Sequence, residues 1–167
     1  LDKEIVSIKL SNIEPVICFT KLDLASKEEL KEVKTYKKYY ESLGIKVFYN
    51  TKLTRLVKYL KEKTVVLTGQ TGAGKSSLLN KLDKKLSLKV GEISEALGRG
   101  KHTTRHTEIH EVKKIYFVDT PGFSSLDLSE YKKEEIRDAF TEFSNFPCEF
   151  KDCMHTKETD CHVKDAV

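Results

Sequence analysis

The sequence predicts an α/β fold: a parallel sheet with helices on both faces, followed by a small C-terminal module. Three observations carry this. Short apolar runs alternate with amphipathic helical patterns at the spacing of βαβ units. A β-branched run, Thr64 to Thr68, enters a glycine-rich turn that opens a helix-forming run, Lys75 to Leu82. From Pro147 onward the composition shifts to Cys, His and Asp, which divides the chain into residues 1–146 and a module at 147–167.

Each element has its own warrant. Leu1, Ile5 and Ile8, with Val6 and Leu10 beside them, follow helical spacing and predict a helix over residues 1–11. Pro15 to Phe19 is a short apolar run, the kind of strand buried on both faces of a parallel sheet. Residues 27–43 form a Lys/Glu-rich helix with Leu30, Val33, Tyr36, Tyr40 and Leu43 as its stripe, ended by Gly44. Ile45 to Tyr49 is the next strand. Lys52 to Glu62 is helical, with Leu53, Leu56, Val57 and Leu60 on one side. The strand Thr64 to Thr68 and the helix from Lys75 follow. Residues 87–106 have weak periodicity and read as a long mobile loop. Thr107 to Val112 and Ile115 to Val118 are two strands joined by a tight turn at Lys113-Lys114, and residues 130–143 are a helix.

Composition bounds the function. The chain has 167 residues, 38% hydrophobic and 34% charged, enough for one core of moderate size. No apolar run reaches membrane-spanning length and no signal-peptide pattern is present, so no membrane role is expected. A net charge of +4 is compatible with a nucleic-acid partner without arguing for one. The start at Leu1 and the abrupt end lead us to expect a piece of a longer protein.

Gly69-Gln70-Thr71-Gly72-Ala73-Gly74-Lys75-Ser76, continuing to Ser77, reads G-x-x-x-x-G-K-S between a strand and a helix. Gly69 and Gly74 let the loop fold so that successive N–H groups face phosphate oxygens, and the helix adds its positive end. Lys75 reaches the outer phosphates and the Ser76 hydroxyl suits Mg²⁺. Asp119-Thr120-Pro121-Gly122 is D-x-x-G at a strand end: the acid can hold Mg²⁺ through water, and the Gly122 N–H can meet a γ-phosphate. Thr20-Lys21-Leu22-Asp23 matches [N/T]-K-x-D. A carboxylate at Asp23 accepts from the guanine amino group and ring N–H, which adenine does not offer, and the Lys21 stem covers the base. Asn50 and Thr51 end the next strand, where either a base contact or a helix N-cap is open to them. In the loop Gly98 to Arg105, a threonine can close over Mg²⁺ and the γ-phosphate; of Thr103 and Thr104, Thr104 is favoured. Phe123 stands where many GTPases carry a water-orienting Gln, and His102 is the candidate replacement. The guanine motif precedes the phosphate loop, so the set is circularly permuted relative to a Ras-like GTPase. Chain ends that lie close together make this geometrically possible.

Cys148-x4-Cys153-x-His155-x5-Cys161 supplies three thiolates and an imidazole within fourteen residues, a donor set that suits tetrahedral Zn²⁺ and staples a module too small for its own core. His162 is a less favourable substitute ligand. Cys18, in an apolar strand, reads as a core cysteine.

The permuted order, Gly91-Glu92-Ile93-Ser94, the loop Gly98-Arg99-Gly100-Lys101-His102-Thr103-Thr104-Arg105, the run Asp119 to Leu126 and the zinc motif together resemble the RsgA (YjeQ/YloQ) family over nearly the whole chain. The resemblance implies a circularly permuted P-loop GTPase sheet with a C-terminal zinc module. It also implies GTP/GDP, Mg²⁺ and Zn²⁺ as ligands, and late maturation of the small (30S) ribosomal subunit as the function. The subunit and its rRNA are then the partners; the nucleotide-binding loop and the lack of an export signal favour the cytoplasm, and a monomer is expected. The family typically carries an N-terminal OB-fold and helices that complete the zinc domain. The resemblance therefore leads us to expect a truncated chain, lacking also the strand before its first helix. A nucleotide-gated rRNA-binding module with incidental hydrolysis is the alternative, and a P-loop ATPase is a third reading that Asp23 opposes.

Overall fold

The computed structural model describes residues 1–70, 72–83, 109–118 and 128–166. The chain runs α1 (Asp2–Leu10), β1 (Val16–Phe19), α2 (Lys27–Ser42), β2 (Lys46–Tyr49), α3 (Leu53–Leu60), β3 (Thr64–Val65) and α4 (Lys75–Leu82). The hairpin β4 (Ile109–Val112) and β5 (Ile115–Val118) follows, then α5 (Lys133–Ala139), a 3-10 segment (Thr141–Asn145) and α6 (His162–Asp165).

Local chemistry explains the boundaries. Ser26 and Glu29 form a reciprocal capping box at the start of α2, an arrangement worth about 1 kcal/mol. Gly44, at φ +80°, turns the chain out of α2 into β2, a conformation only glycine adopts without strain. Lys113 and Lys114 both take positive φ, +53° and +62°, as a two-residue hairpin turn demands.

Among the described residues the strands form two sheets. β1 and β2 pair in parallel; β3 pairs in parallel with β5, which pairs antiparallel with β4. Strand alternation then sorts the core onto two faces. On one, Ile17 and Val47 pack with Ile5 of α1 and Tyr40 of α2. On the other, Cys18 and Phe48 pack with Leu56 and Leu60 of α3, which share a cluster with Leu78, Leu79 and Leu82 of α4 and with Ile115 and Phe117 of β5. Helices thus cover both faces, as the alternation of runs predicts.

Four expectations change. The strand from Thr64 to Thr68 is a paired strand only over Thr64–Val65. β1 is fully buried only at Ile17, and among the described residues a strand lies beside it on one side alone. Tyr36 leaves the stripe of α2 and is 51% exposed. Lys37 takes that place: its stem lies on the sheet while Nζ donates to the Val47 carbonyl at 3.2 Å and pairs with Glu41. The helix expected over 130–143 breaks at Phe140, whose ψ of +85° is not helical and whose ring stacks on Phe143 at 5.1 Å.

Candidate nucleotide site and metal centre

The phosphate loop follows β3. Gly69, Gly72 and Gly74 have φ of +135°, +79° and +91°, so its three glycines sit in backbone conformations that side chains resist. Gly72 is a third such position beside the two that the motif singled out. The Ala73 N–H donates to the Gln70 carbonyl at 3.0 Å and closes the turn. Gly74 is the N-cap of α4, and the Leu78 N–H donates to its carbonyl at 2.9 Å. Lys75 curls back over the loop, with Nζ on the Gly69 carbonyl and 3.0 Å from that of Gln70. Ser76 is buried in the first turn of α4, and Ser77 faces solvent. The helix N-terminus and the Lys75 ammonium suit phosphate, and the buried Ser76 hydroxyl offers an oxygen of the kind that phosphate-bound Mg²⁺ takes.

The guanine motif is brought to this loop across 53 residues of sequence. Thr20 Oγ1 donates to the Ala73 carbonyl at 2.6 Å. A side chain added at Gly74 would stand 3.5 Å from the Thr20 Cβ and hydroxyl, so the two loops lie in van der Waals reach. Lys21, at φ +56°, makes the turn that the Leu24 N–H closes on its carbonyl at 3.0 Å, leaving Lys21 and Asp23 exposed. Asn50 joins the same corner: its N–H donates to the Phe19 carbonyl at 3.0 Å, its side chain is 7% exposed, and its Oδ1 has no partner among the described residues. Neither Asn50 nor Thr51 caps α3, whose N-cap is Lys52 without a side-chain bond. The cap alternative is therefore set aside; Thr51 is exposed beside the site. Thr71, His102, Thr104, Asp119, Gly122 and Phe123 lie outside the described residues.

The second centre lies in the C-terminal module. The ligand atoms of Cys148, Cys153, His155 and Cys161 all lie within 4.8 Å of one another. Cys148 Sγ and Cys161 Sγ are 3.8 Å apart, and His155 Nδ1 stands 3.6 Å from the first and 3.4 Å from the second. Zinc–ligand bonds of about 2.3 Å to sulfur and 2.0 Å to nitrogen, at tetrahedral angles, require edges of about 3.8 and 3.5 Å. The three edges among Cys148, His155 and Cys161 are therefore compatible with Zn²⁺. His162 takes no part: its Nδ1 lies 2.6 Å from the Pro147 carbonyl. Backbone N–H groups, that of Val163 foremost, draw the Cys148 thiol below its ordinary range, while burial pushes Cys153 up to about 11.

Two residues of this centre escaped the sequence reading. Glu158 accepts from the N–H groups of Met154 and Thr156 at 2.8 Å and of Lys157 at 2.9 Å. With its own N–H the largest contribution, then those of Met154 and Thr156, these bonds lower its pKa to about 2. The carboxylate thereby fixes the turn that aims His155, whose φ is +58°. A lone acid in a turn offers no sequence signature. Phe143 packs on this small core and meets the His155 ring edge-to-face at 4.9 Å, where the sequence reading placed only the last residue of a helix.

Comparison with known proteins agrees with this geometry. The family model for the RsgA GTPase matches residues 1–129. The small ribosomal subunit biogenesis GTPase RsgA 2 of Oceanobacillus iheyensis is 45% identical over 174 residues, covering 100% of this chain and 59% of that protein. RsgA of Bacillus velezensis is likewise 45% identical, with the same coverage. The crystal structure of YjeQ from Thermotoga maritima superposes with a TM-score of 0.75 at 31% identity, covering 99% of this chain and 56% of that one. YloQ, described as a circularly permuted GTPase, gives 0.73 at 31% identity over 99% of this chain and 54% of its own. The chain thus spans about 59% of the length of the curated relatives it matches. A family model that spans residues 1–129 and relatives 45% identical over the whole chain give one conclusion: this chain belongs to the RsgA GTPase family.

Proposed function

We propose that the full-length protein binds GTP, hydrolyses it to GDP and phosphate, and assists late maturation of the small ribosomal subunit, which stimulates its turnover. The observation that carries this reading is the Thr20–Ala73 bond of 2.6 Å, which sets a guanine-selecting motif directly against a phosphate loop. Gly69 to Ser77 enclose the phosphates, Lys75 leaves its loop carbonyls to meet the outer ones, and Asp23 takes the guanine edge while Lys21 covers the base. Asn50 and Thr51 line the base side, and the buried Oδ1 of Asn50 supports a polar contact there. Ser76 and Thr104 would hold Mg²⁺, which when bound would supply charge neutralisation on the transferring phosphate. Asp119 orients the metal's water, Gly122 donates to the γ-phosphate, and His102 orients the attacking water in place of the Gln that Phe123 displaces. Zn²⁺ on Cys148, Cys153, His155 and Cys161 shapes the module at 147–167 as an rRNA-contacting element. The protein acts as a cytoplasmic monomer with the GTPase domain at 1–146.

GTP turnover by the full-length protein, with and without purified small subunits, tests this. Strong stimulation is the expected result. Unchanged turnover with tight GTP binding would move the assignment to a nucleotide-gated rRNA-binding module, a reading that Phe123 keeps in play. His102→Ala separates the two: turnover falls with GTP binding retained if hydrolysis is the function, and subunit release is unaffected if it is incidental. ATP competing equally with GTP would refute the base selection assigned to Asp23.

A further inference from the structure

Helix α2 carries a row of lysines that the folded chain leaves without partners. Lys27, Lys31, Lys34 and Lys38 are all exposed. At 3.6 residues per turn they fall within about 60° of one another and extend over about 16 Å of helix. Among the described residues, none of the four side chains enters an ion pair or a hydrogen bond. The acids of the same helix do not serve them. Glu29 accepts the Ser26 N–H in the capping box, and Glu41, three residues from Lys38, is drawn to Lys37 instead. Glu28 and Glu32 fall outside the arc, on the flank that carries Thr35 and Tyr39.

This placement lowers the stability of the helix. Lys27 and Lys31, and Lys34 and Lys38, are like charges at i, i+4; Lys31 and Lys34 are like charges at i, i+3; each pair is mildly destabilising. Lys27 also stands in the first turn, where the positive end of the helix repels a cation. The last turn, where a lysine would be stabilising, has no basic residue. A face that is merely solvated mixes its signs and sets Glu four residues before Lys. Local rules broken without a compensating contact inside the protein point to a contact outside it.

We propose, resting on the ribosomal reading above, that this row is a ridge that binds the phosphate backbone of structured RNA. The chemistry selects that partner. The row holds lysines alone, compact point charges, with no arginine and no apolar side chain among them. Protein–protein interfaces are depleted in lysine and enriched in arginine and aromatic side chains, so an acidic protein fits poorly. A membrane-surface helix inserts an apolar face beside its lysines, whereas the apolar side of α2 is closed against β2 and α1 through Tyr40 and Leu43. A phosphate backbone needs only the row of charge, because released counterions supply the binding free energy. The row begins four residues after Asp23, so RNA seated on it lies against the helix that the guanine loop leads into.

The test titrates full-length protein with purified small subunits and, separately, with the protein-free rRNA extracted from them, over a range of salt. Lys31→Gln/Lys34→Gln removes two charges and keeps good helix formers. Each lost phosphate contact flattens the salt slope by about 0.7 to 0.9 and, at about 0.15 M salt, weakens binding about four- to sixfold. The double variant is therefore expected to bind both probes about 15- to 30-fold more weakly, with a slope flatter by about 1.4 to 1.8. Lys31→Arg/Lys34→Arg should bind as the wild type does. The thermal midpoint of the glutamine variant should hold or rise, because like-charge contacts are gone, which separates lost binding from lost fold. Unchanged affinity and slope on the rRNA would overturn the proposal, as would a wild-type protein that binds neither probe. Weakening on the subunits alone would assign the row to a ribosomal protein and overturn it equally. So would an equal loss from Lys3→Gln/Lys58→Gln, exposed lysines off the row, since net charge would then explain the effect. Row-dependent binding to rRNA by a protein that ignores intact subunits would refute the ribosomal reading and leave the ridge standing. Subunit-stimulated turnover with rRNA affinity unmoved by the glutamine variant would do the reverse.

Discussion

Thr20→Ala should weaken guanine nucleotide binding about tenfold, and Thr20→Ser should not. The Thr20 hydroxyl is the described hydrogen bond between the guanine motif and the phosphate loop, and it is short, 2.6 Å, and partly buried. Such a bond contributes about 1 kcal/mol net, and leaving the Ala73 carbonyl unpartnered raises the cost to between roughly 1 and 2 kcal/mol. In the proposed site the nucleotide would span both loops, so whatever free energy the tie no longer supplies would have to come from the ligand. At 1.4 kcal/mol per decade this is about 5- to 30-fold in Kd. Alanine and serine differ here by the hydroxyl alone, so their comparison isolates the bond from the lost methyl group. The assay is GDP titration of full-length protein by calorimetry, with pyrophosphate and guanosine titrated separately. A tie between half-sites affects the ligand that needs both, so GDP affinity should fall while pyrophosphate affinity stays within twofold. Equal losses for GDP and pyrophosphate would show a damaged phosphate loop. A serine variant as weak as the alanine variant would refute the hydrogen-bond argument.

Other consequences are open to measurement. Glu158→Gln should weaken Zn²⁺ binding about 10- to 100-fold in chelator competition, because the amide cannot accept all three turn N–H groups. The Glu158 carboxyl itself should titrate near 2 by carbon-detected NMR. Its pKa is depressed on folding, so its stabilisation is complete above about 4.5 and is lost as pH falls toward 2. His155→Ala should abolish stoichiometric zinc and His162→Ala should keep it, as metal analysis of the purified variants would report; the reverse pattern would contradict the measured edges. Burial pushes the Cys18 thiol up to about 11, so at pH 8 only about a thousandth is thiolate. Its alkylation by iodoacetamide, read by peptide mass, should run roughly a hundredfold slower than that of an unshifted thiol and rise tenfold per pH unit; fast modification at pH 8 would refute the burial.

The parts of this molecule legible in its sequence are those where a few residues at fixed spacing must do one job. The phosphate loop, the Cys3His cluster, the hairpin at Lys113-Lys114 and the helices α1 to α4 all stand where spacing placed them, within two residues at their ends. What escaped depends on neighbours far along the chain. Tyr36 and Lys37 both fit the helical period of α2, and only contact with Val47 and Glu41 decides that the lysine stem lies inward. Phe140 has ordinary helix propensity, and its stacking on Phe143 ends the helix. Thr64 to Thr68 is a sound strand pattern, yet a strand is as long as its ladder, and beyond Val65 no strand pairs with it among the described residues. Period and propensity report a residue's own preferences; pairing partners supply the remainder.

The same logic explains how the motifs work in reversed order. Each sits at the C-terminal end of a strand, and the site is assembled by strands lying side by side, so chain order does not enter its geometry. Chain order does decide what is attached. Here the strand β5, whose end carries the D-x-x-G motif, leads toward α5 and the zinc module rather than toward the guanine strand. The segment before that module is also held from the opposite side: α1 packs against α5, and Lys9 Nζ donates to Thr141 Oγ1 at 2.8 Å. Asp2, on the same helix, accepts from the Tyr40 hydroxyl of α2 at 2.8 Å. α1 therefore bridges the sheet and the segment that leads into the module. A shift of the nucleotide loops that moved the sheet would reach the module through α1 as well as through the chain after β5. Lys9→Ala should then leave GTP turnover by the isolated full-length protein unchanged and lower its stimulation by the small subunit. Full stimulation with the Lys9–Thr141 bond removed would show that this contact carries no part of the coupling.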